Sequence, residues 1–250
     1  MDNPALKSMM KTVRLMKVTS KMLAVVVVSG GMDSVTLLHL MNRRGYDLEV
    51  ISFDYGQRHV KELAYAKYWA NHFNAKHHLV NLTCLTNLIS NSALTNKDIP
   101  VPDGHYTEES MKVTVVPNRN AMMISIATAL AVNIKADCVA VGVHFGDHTI
   151  YPDCRKEFID SISSTMQLAN QGFISEGFAV LAPFIGVDKT EICLQGEDMG
   201  VNWSKTWSCY KGGKKQCGSC ATCRERKEAF SLAGVVDPTD YINKRKNSEY

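Results

Sequence analysis

The chain switches repeatedly between an unbroken apolar pattern and a helical one. Leu23 to Val28 is a valine-rich apolar run, the signature of a strand buried on both faces of a parallel sheet. After Ser29-Gly30-Gly31, apolar residues recur at helical spacing over Met32 to Arg44 (Val35, Leu38 and Met41, or Leu37 and Leu40), and Gly45 closes the helix. Leu48 to Phe53 reads as a second strand, Val60 to Phe73 as an amphipathic helix and Lys76 to Leu82 as a third strand. From Asn91 to Pro117 the periodicity fades among Pro100, Pro102, Gly104 and Pro117, which predicts a lid or a disordered loop. Arg119 to Ile134 is small or apolar nearly all round, so a well-buried helix is expected. Asp137 to Val143 is a fourth strand, and the polar loop His144 to Asp153 leads to a helix over Arg155 to Ala169. Ala179 to Ala182 is a short fifth strand. In the helix Asp188 to Met199, Asp188 is the N-cap and Glu191 stands at capping-box spacing. Strands alternating with helices predict an α/β protein with a doubly wound, parallel, five-stranded sheet and a ligand at the carboxyl ends of its strands.

Composition is that of an ordinary globular chain, and no apolar run reaches transmembrane length. The net charge of +3 is unevenly spread. Residues 1–21 hold Lys7, Lys11, Arg14, Lys17 and Lys21 against Asp2, and lack the apolar core of a secretory signal. They read as a disordered basic extension, residues 22–202 as the main domain and 203–250 as a small separate module. The eight cysteines, in a chain without a secretory signal, fit a reducing cytoplasm and one metal site better than disulfides.

That metal site is Cys209 with Cys217, Cys220 and Cys223, four thiols among glycines in a polar stretch. Four thiolates suit a closed, tetrahedral, structural Zn²⁺. An iron–sulfur cluster or a redox CxxC pair are the alternatives.

Strand, Gly-Gly turn and helix together place free N–H groups at a helix N-terminus, a ready anion site. At Gly31 an added Cβ is expected to crowd the phosphate or oppose a positive φ. The string Ser29-Gly30-Gly31-Met32-Asp33-Ser34 resembles the pyrophosphate loop, SGGxDS, of the ATP pyrophosphatase superfamily, and lacks the Gly-Lys-Ser/Thr ending of a Walker loop.

Further strings follow in order: FDYGQRH (53–59), VPNRN (116–120), YPDCR (151–155), Lys189-Thr190-Glu191, and Thr206-x-x-Cys209-Tyr210 with the three later cysteines. Over residues 23 to about 233 the chain resembles the 7-cyano-7-deazaguanine (preQ0) synthases of the QueC type. The resemblance implies a Rossmann-like domain of the adenine nucleotide alpha hydrolase kind. It implies a ligase that turns 7-carboxy-7-deazaguanine, ammonia and two ATP into the nitrile through an amide. One zinc per chain and a homodimer are implied too, and no direct contact with nucleic acid is expected. The family's ATP segment maps onto Val28, Ser29, Gly30, Gly31, Met32, Asp33, Ser34, Val35, Thr36, Leu37 and Leu38. Asn118 replaces a usual glycine, and asparagine tolerates φ > 0. His144 to Ile150 replaces a loop that usually reads Cys-Glu-Thr-Asp-Phe-Ser-Gly, with Asp147 kept.

The reaction needs a carboxylate to attack the α-phosphorus while N–H groups of Ser29 to Ser34 and Mg²⁺ hold the pyrophosphate. Lys189 is expected at the α-phosphate, and Arg119 on a carboxylate or phosphate. Asp33 either caps its helix or orients Mg²⁺. Asp153 either accepts from N1–H and the 2-amino group of the deazaguanine or caps the helix beginning near Arg155. Arg155 is expected at the substrate carboxylate, and Asp147 near the substrate. Cys154 is a core residue or a nucleophile; His144 and His148 are solvated or shuttle protons. The changed loop motivates one alternative, a reaction that stops at the amide and supplies DNA modification. A tRNA-thiolating enzyme and a non-catalytic zinc module are the others.

Overall fold

The computed structural model describes residues 21–105, 111–147 and 151–242. The extension expected before Lys21 lies outside them, as does His148. Strands β1 (Leu23–Val27), β2 (Asp47–Asp54), β3 (Lys76–Asn81), β4 (Cys138–Ala140) and β5 (Ala179–Leu181) form one sheet in the order β3-β2-β1-β4-β5. Every pairing is parallel, as the alternating pattern predicts. The helices are α1 (Met32–Arg43), α2 (Glu62–His72), α3 (Arg119–Ile134), α4 (Lys156–Ala169), α5 (Lys189–Asp198) and α6 (Ala221–Leu232).

The central strand shows why its run is apolar throughout. Ala24, Val26 and Val28 enter one core with Leu37, Leu38, Trp69, Ile192 and Phe230. Val25 points the other way, into a core with Ile124, Ala127, Ile159 and Phe178. Each buried valine stabilises by about 1.5–3 kcal/mol, so neither face of β1 tolerates a polar residue. Strand order reverses between β1 and β4, which opens a crevice at their carboxyl ends.

Three expectations are corrected. β4 is shorter than the apolar run: Val141 N still donates to Leu181 O (2.9 Å), but the chain then leaves the ladder and passes under α1. A Cβ added at Gly142 would stand 3.4 Å from the Asp33 and Ser34 backbone. The described part of 91–117 is neither lid nor disordered loop. Ala93, Leu94, Val101, Met111 and Val116 are buried in it, and Arg58 Nη2 donates to Asn96 O (2.7 Å) and Ile99 O (2.9 Å). Asp103 then bridges to Cys220, so the segment straps the β2 end of the sheet to the cysteine module. Helix α3 buries one face only, through Ile124, Ala127, Thr128 and Ala131, because it covers the outside of the sheet. Its Ser125, Ala129 and Asn133 are exposed.

The C-terminal residues reach into the main core. Trp203 and Phe230 pack edge to face at 5.1 Å within the α1 cluster. Arg226 is fully buried, bonds Asp237 (3.0 Å), and donates to Thr206 Oγ1 (2.6 Å) and Trp203 O (3.2 Å).

Candidate active site

The crevice is a cleft whose first wall is the β1–α1 turn. The two serines build the turn in advance. Ser34 Oγ accepts from Ser29 N (3.2 Å) and Gly30 N (3.3 Å), and Ser29 Oγ accepts from Gly31 N (3.2 Å). These N–H groups are therefore already used, which narrows the expected anion site. Gly31 is the N-cap of α1, has no side chain to cap with, and leaves the N–H groups of the first helical turn to a ligand. The glycine requirement also moves by one residue. Gly31 has an ordinary φ of −75°, whereas Gly30 has φ +95°, and a Cβ on Gly30 would lie 2.3 Å from Glu62 O. Val28, Ser29, Gly31, Met32, Asp33 and Ser34 line the cleft. Val35, Thr36, Leu37 and Leu38 are buried behind it, and Thr36 Oγ1 donates to Met32 O (2.8 Å).

A charged group gathers beside this turn. Asp188 caps α5 by accepting from Glu191 N (2.8 Å), as its spacing predicts, and so aims Lys189 from the first helical position. Lys189 Nζ stands 2.6 Å from Glu225 Oε2 and 3.5 Å from Asp33 Oδ2. Asp33 makes no cap. Its Oδ1 is buried without a hydrogen-bond partner among the described residues, the state of a carboxylate oxygen that suits a hard cation. His144 is buried, accepts from Gly146 N through Nδ1 (3.1 Å), and places Nε2 4.0 Å from Asp33 Oδ2.

The opposite wall centres on Arg119. Asn118 takes the left-handed conformation (φ 56°) just before α3, so the turn expected of a glycine survives. Burial opposes the Arg119 charge, but Tyr55, Tyr210, Cys154 and Asp153 around it hold the guanidinium protonated, well above its ordinary value. Tyr55, His59, Glu62, Cys154 and Tyr210 line this side. The His59 and Tyr210 rings lie 5.0 Å apart. Cys154 is buried and its Sγ accepts from Asn120 Nδ2 (3.2 Å).

Asp153 does something neither reading foresaw. Its Oδ2 accepts from Asn120 N (3.1 Å), in the first turn of α3, while the N-cap of α4 is Arg155 with no side-chain bond. Asp153 and Arg155 are not among the cleft-lining residues. Asp147 ends the short turn Phe145–Asp147 that follows His144.

The cysteine module supplies a third wall. All four Sγ atoms of Cys209, Cys217, Cys220 and Cys223 lie within 4.8 Å of one another, and those of Cys217 and Cys223 are 3.8 Å apart. A tetrahedron with Zn–S of about 2.3 Å has S···S edges of about 3.8 Å, so the donor set fits one such ion. Hydrogen bonds from Cys209 pull Cys217 and Cys220 below the ordinary thiol range, Cys220 to about 6. Trp207, Ser208, Tyr210, Thr222 and Glu225 of the module face the cleft, and Trp207 N donates to Gly30 O (2.9 Å). Sequence reasoning assigned no role to His59, Glu62, Trp207 or Glu225. His59 sits in a quoted motif, but nothing local marks Glu225, whose partner is 36 residues away.

Residues 23–234 match the family model described as "Queuosine biosynthesis protein QueC". The 7-cyano-7-deazaguanine synthase of Rhizobium johnstonii is 51% identical over 220 residues, covering 88% of this chain and 92% of that protein. The 7-cyano-7-deazaguanine synthase 1 of Mesorhizobium japonicum is 47% identical over 218 residues, covering 87% and 93%. Among solved structures, NMN synthetase from Francisella tularensis aligns with a TM-score of 0.50 and 13% identity, covering 94% of this chain and 88% of that one; this likeness is one of fold.

Proposed function

This chain belongs to the QueC family, and from that premise we propose which residues of the cleft carry out its chemistry as an ATP-dependent ligase forming 7-cyano-7-deazaguanine. The observation that carries the reading is the meeting, in one cleft, of an uncapped helix N-terminus, Lys189 and Asp33 with half-buried Arg119. The first turn of α1 binds the pyrophosphate of ATP, and Lys189 neutralises charge at the α-phosphate when it leaves Glu225. Arg119 holds the carboxylate of 7-carboxy-7-deazaguanine bidentately and in line with the phosphorus. Asp153, one residue from cleft-lining Cys154, accepts from the base edge while it also fixes the start of α3. Arg155 and Asp147 act at the entrance.

Two metal ions fit the residues present. Asp33 Oδ1 would hold the Mg²⁺ that accompanies ATP, and the ion would offset phosphate charge there. Cys209, Cys217, Cys220 and Cys223 would hold Zn²⁺, which would contribute folding free energy. Ammonia is the second substrate, and the working form is a cytoplasmic homodimer acting on the free base. Among the described residues no helix is long and apolar enough to cross a membrane.

The test is incubation with 7-carboxy-7-deazaguanine, ammonium and Mg·ATP, with products weighed by mass spectrometry. The nitrile with AMP and pyrophosphate is expected. An amide that persists in excess ATP would place the end point one step earlier, and no acid-dependent AMP release would overturn the ligase assignment.

A further inference from the structure

Glu62 and His59 take no part in the steps assigned above, yet both line the cleft. Glu62 opens α2, where Gly30 of the pyrophosphate turn packs on its carbonyl, and its side chain is buried. Gln57 Nε2 donates to Glu62 Oε1 (3.4 Å), and Gln57 is itself held by Phe53 O (3.0 Å) and Tyr55 N (2.9 Å). His59 Nε2 stands 3.5 Å from the same Oε1. Among the described residues no hydrogen bond reaches Glu62 Oε2, which is open to the cleft, and His59 Nδ1 is buried without a partner. A buried polar atom is ordinarily satisfied, so His59 Nδ1, orphaned beside a carboxyl oxygen open to the cleft, points to a ligand that supplies donors.

The donor that fits is ammonium, which has four N–H groups and no acceptor and is drawn to aromatic faces such as that of Tyr210 beside His59. We propose that Glu62 is the base that deprotonates the ammonium co-substrate, with His59 Nδ1 as the second acceptor of the ammonium site; this rests on the ligase reading. Burial outweighs the Gln57 hydrogen bond and the Arg119 charge and pushes Glu62 up to about 8, which makes it a stronger base than an ordinary carboxylate. Burial, with Arg119 and Arg58, pushes His59 down to about 3, so its imidazole is neutral and keeps a lone pair for an N–H donor. In the step, the Glu62 carboxylate takes one proton from NH₄⁺. The lone pair of the resulting NH₃ attacks the acyl carbon of the adenylated acid. A C–N bond forms, the C–O bond to AMP breaks, AMP leaves with the electron pair, and a second nitrogen proton passes to water.

Glu62→Gln keeps the shape and an oxygen for Gln57 but removes the base. Three rates are compared with wild type: acid-dependent ATP–pyrophosphate exchange, amide formation from ammonium, and hydroxamate formation from hydroxylamine, a nucleophile that is neutral at neutral pH and sheds no proton before attack. Exchange and hydroxamate formation are expected within about threefold of wild type, and amide formation is expected to fall by about 10²-fold or more. Unchanged amide formation, or an equal fall with both nucleophiles, would overturn the base assignment. A wild-type enzyme without acid-dependent exchange would instead remove the ligase reading, and this inference with it.

Discussion

The wall of the cleft made by β1 and α1 is assembled from neighbours in sequence, Val28 to Ser34, whose two serines bond the turn's own N–H groups. The wall made by Trp207, Ser208, Tyr210, Thr222 and Glu225 is assembled at long range, by four cysteines, a strap through Asp103 and the buried Arg226–Asp237 pair. The second depends on groups that are costly when unpartnered, since thiols crowded without a cation and a guanidinium without its carboxylate are both unfavourable. Yet the two meet in the cleft, through Trp207 N on Gly30 O and Glu225 on Lys189. Residues that fold the module therefore also shape the cleft.

Removing the ion proposed for the four cysteines should break the second wall first. Cys220→Ser, or treatment with a strong chelator, should lower zinc content and melting temperature together, because zinc-linked folding free energies reach ~10 kcal/mol. Activity should fall with them as Glu225 and Trp207 lose their places. One zinc per chain with an unchanged melt in Cys220→Ser would refute the structural role.

Arg226→Met asks the same of the ion pair, and a loss of about 3–5 kcal/mol in denaturant titration is expected, because the Asp237 carboxylate, still accepting from Thr239 N and the Tyr241 hydroxyl, is left without its cation. Wild type should also show an acid-side dependence that this variant lacks. Burial alone would raise Asp237, but Arg226 overrides it and holds the carboxyl below its usual range. A depressed folded pKa contributes stability above the unfolded value, about 3.9, and that stability is lost as pH falls through the folded one. Parallel stability-versus-pH curves for the two proteins below pH 4 would contradict this.

On the local wall, the two glycines should behave differently. Gly30→Ala forces a left-handed alanine onto the Glu62 carbonyl and should cost about 1–3 kcal/mol or more, with ATP turnover lost. A Cβ on Gly31 meets only Ser29 Oγ (3.3 Å) and Trp207 O (3.5 Å), so Gly31→Ala should fold nearly normally and lose turnover less. Equal melts and equal AMP release in the pair would show that the turn's backbone is not the constraint.

The smallest change in stability is expected for Asp153→Asn, within about 0.5 kcal/mol, because asparagine still offers an oxygen to Asn120 N. If the carboxylate also meets the base edge, use of the deazaguanine should drop by up to ~10⁴. Wild-type kinetics in this variant would leave Asp153 as a cap of α3 alone.

The legible parts of the site were those in which one stretch of chain carries both pattern and geometry. SGGMDS lies between an apolar strand and a helix, and CxxCxxC has metal-ligand spacing, so each could be placed before any contact was known. Asp188 was read correctly as a cap because its acceptor and its donor are three residues apart. The cap of α4 expected from Asp153 fails because its hydrogen bond runs 33 residues back to α3 and not forward to α4. The loop from 91 to 117 was misread because its apolar residues pack against the cysteine module without any helical or strand period.

The sequence by itself determined the parallel α/β sheet, a Gly-Gly turn at a helix N-terminus, four cysteines at metal-ligand spacing and, through its motifs, the family. The sheet and the turn follow from periodicity and glycine placement and the cysteine set from ligand spacing, all properties of neighbouring residues; the family follows from the resemblance of the motifs to those of known members. Only the tertiary structure decided that Glu225 pairs with Lys189, that Gly30 and not Gly31 demands glycine, and that Glu62 and His59 face the cleft, His59 Nδ1 buried without a partner. Each depends on which surfaces pack together: Gly30 is constrained by the carbonyl of Glu62 on another helix, and the Glu62 carboxyl is shifted by burial among residues from three separate parts of the chain. Close packing sets such contacts to within a few tenths of an ångström, a scale on which the order of residues along the chain carries no direct information.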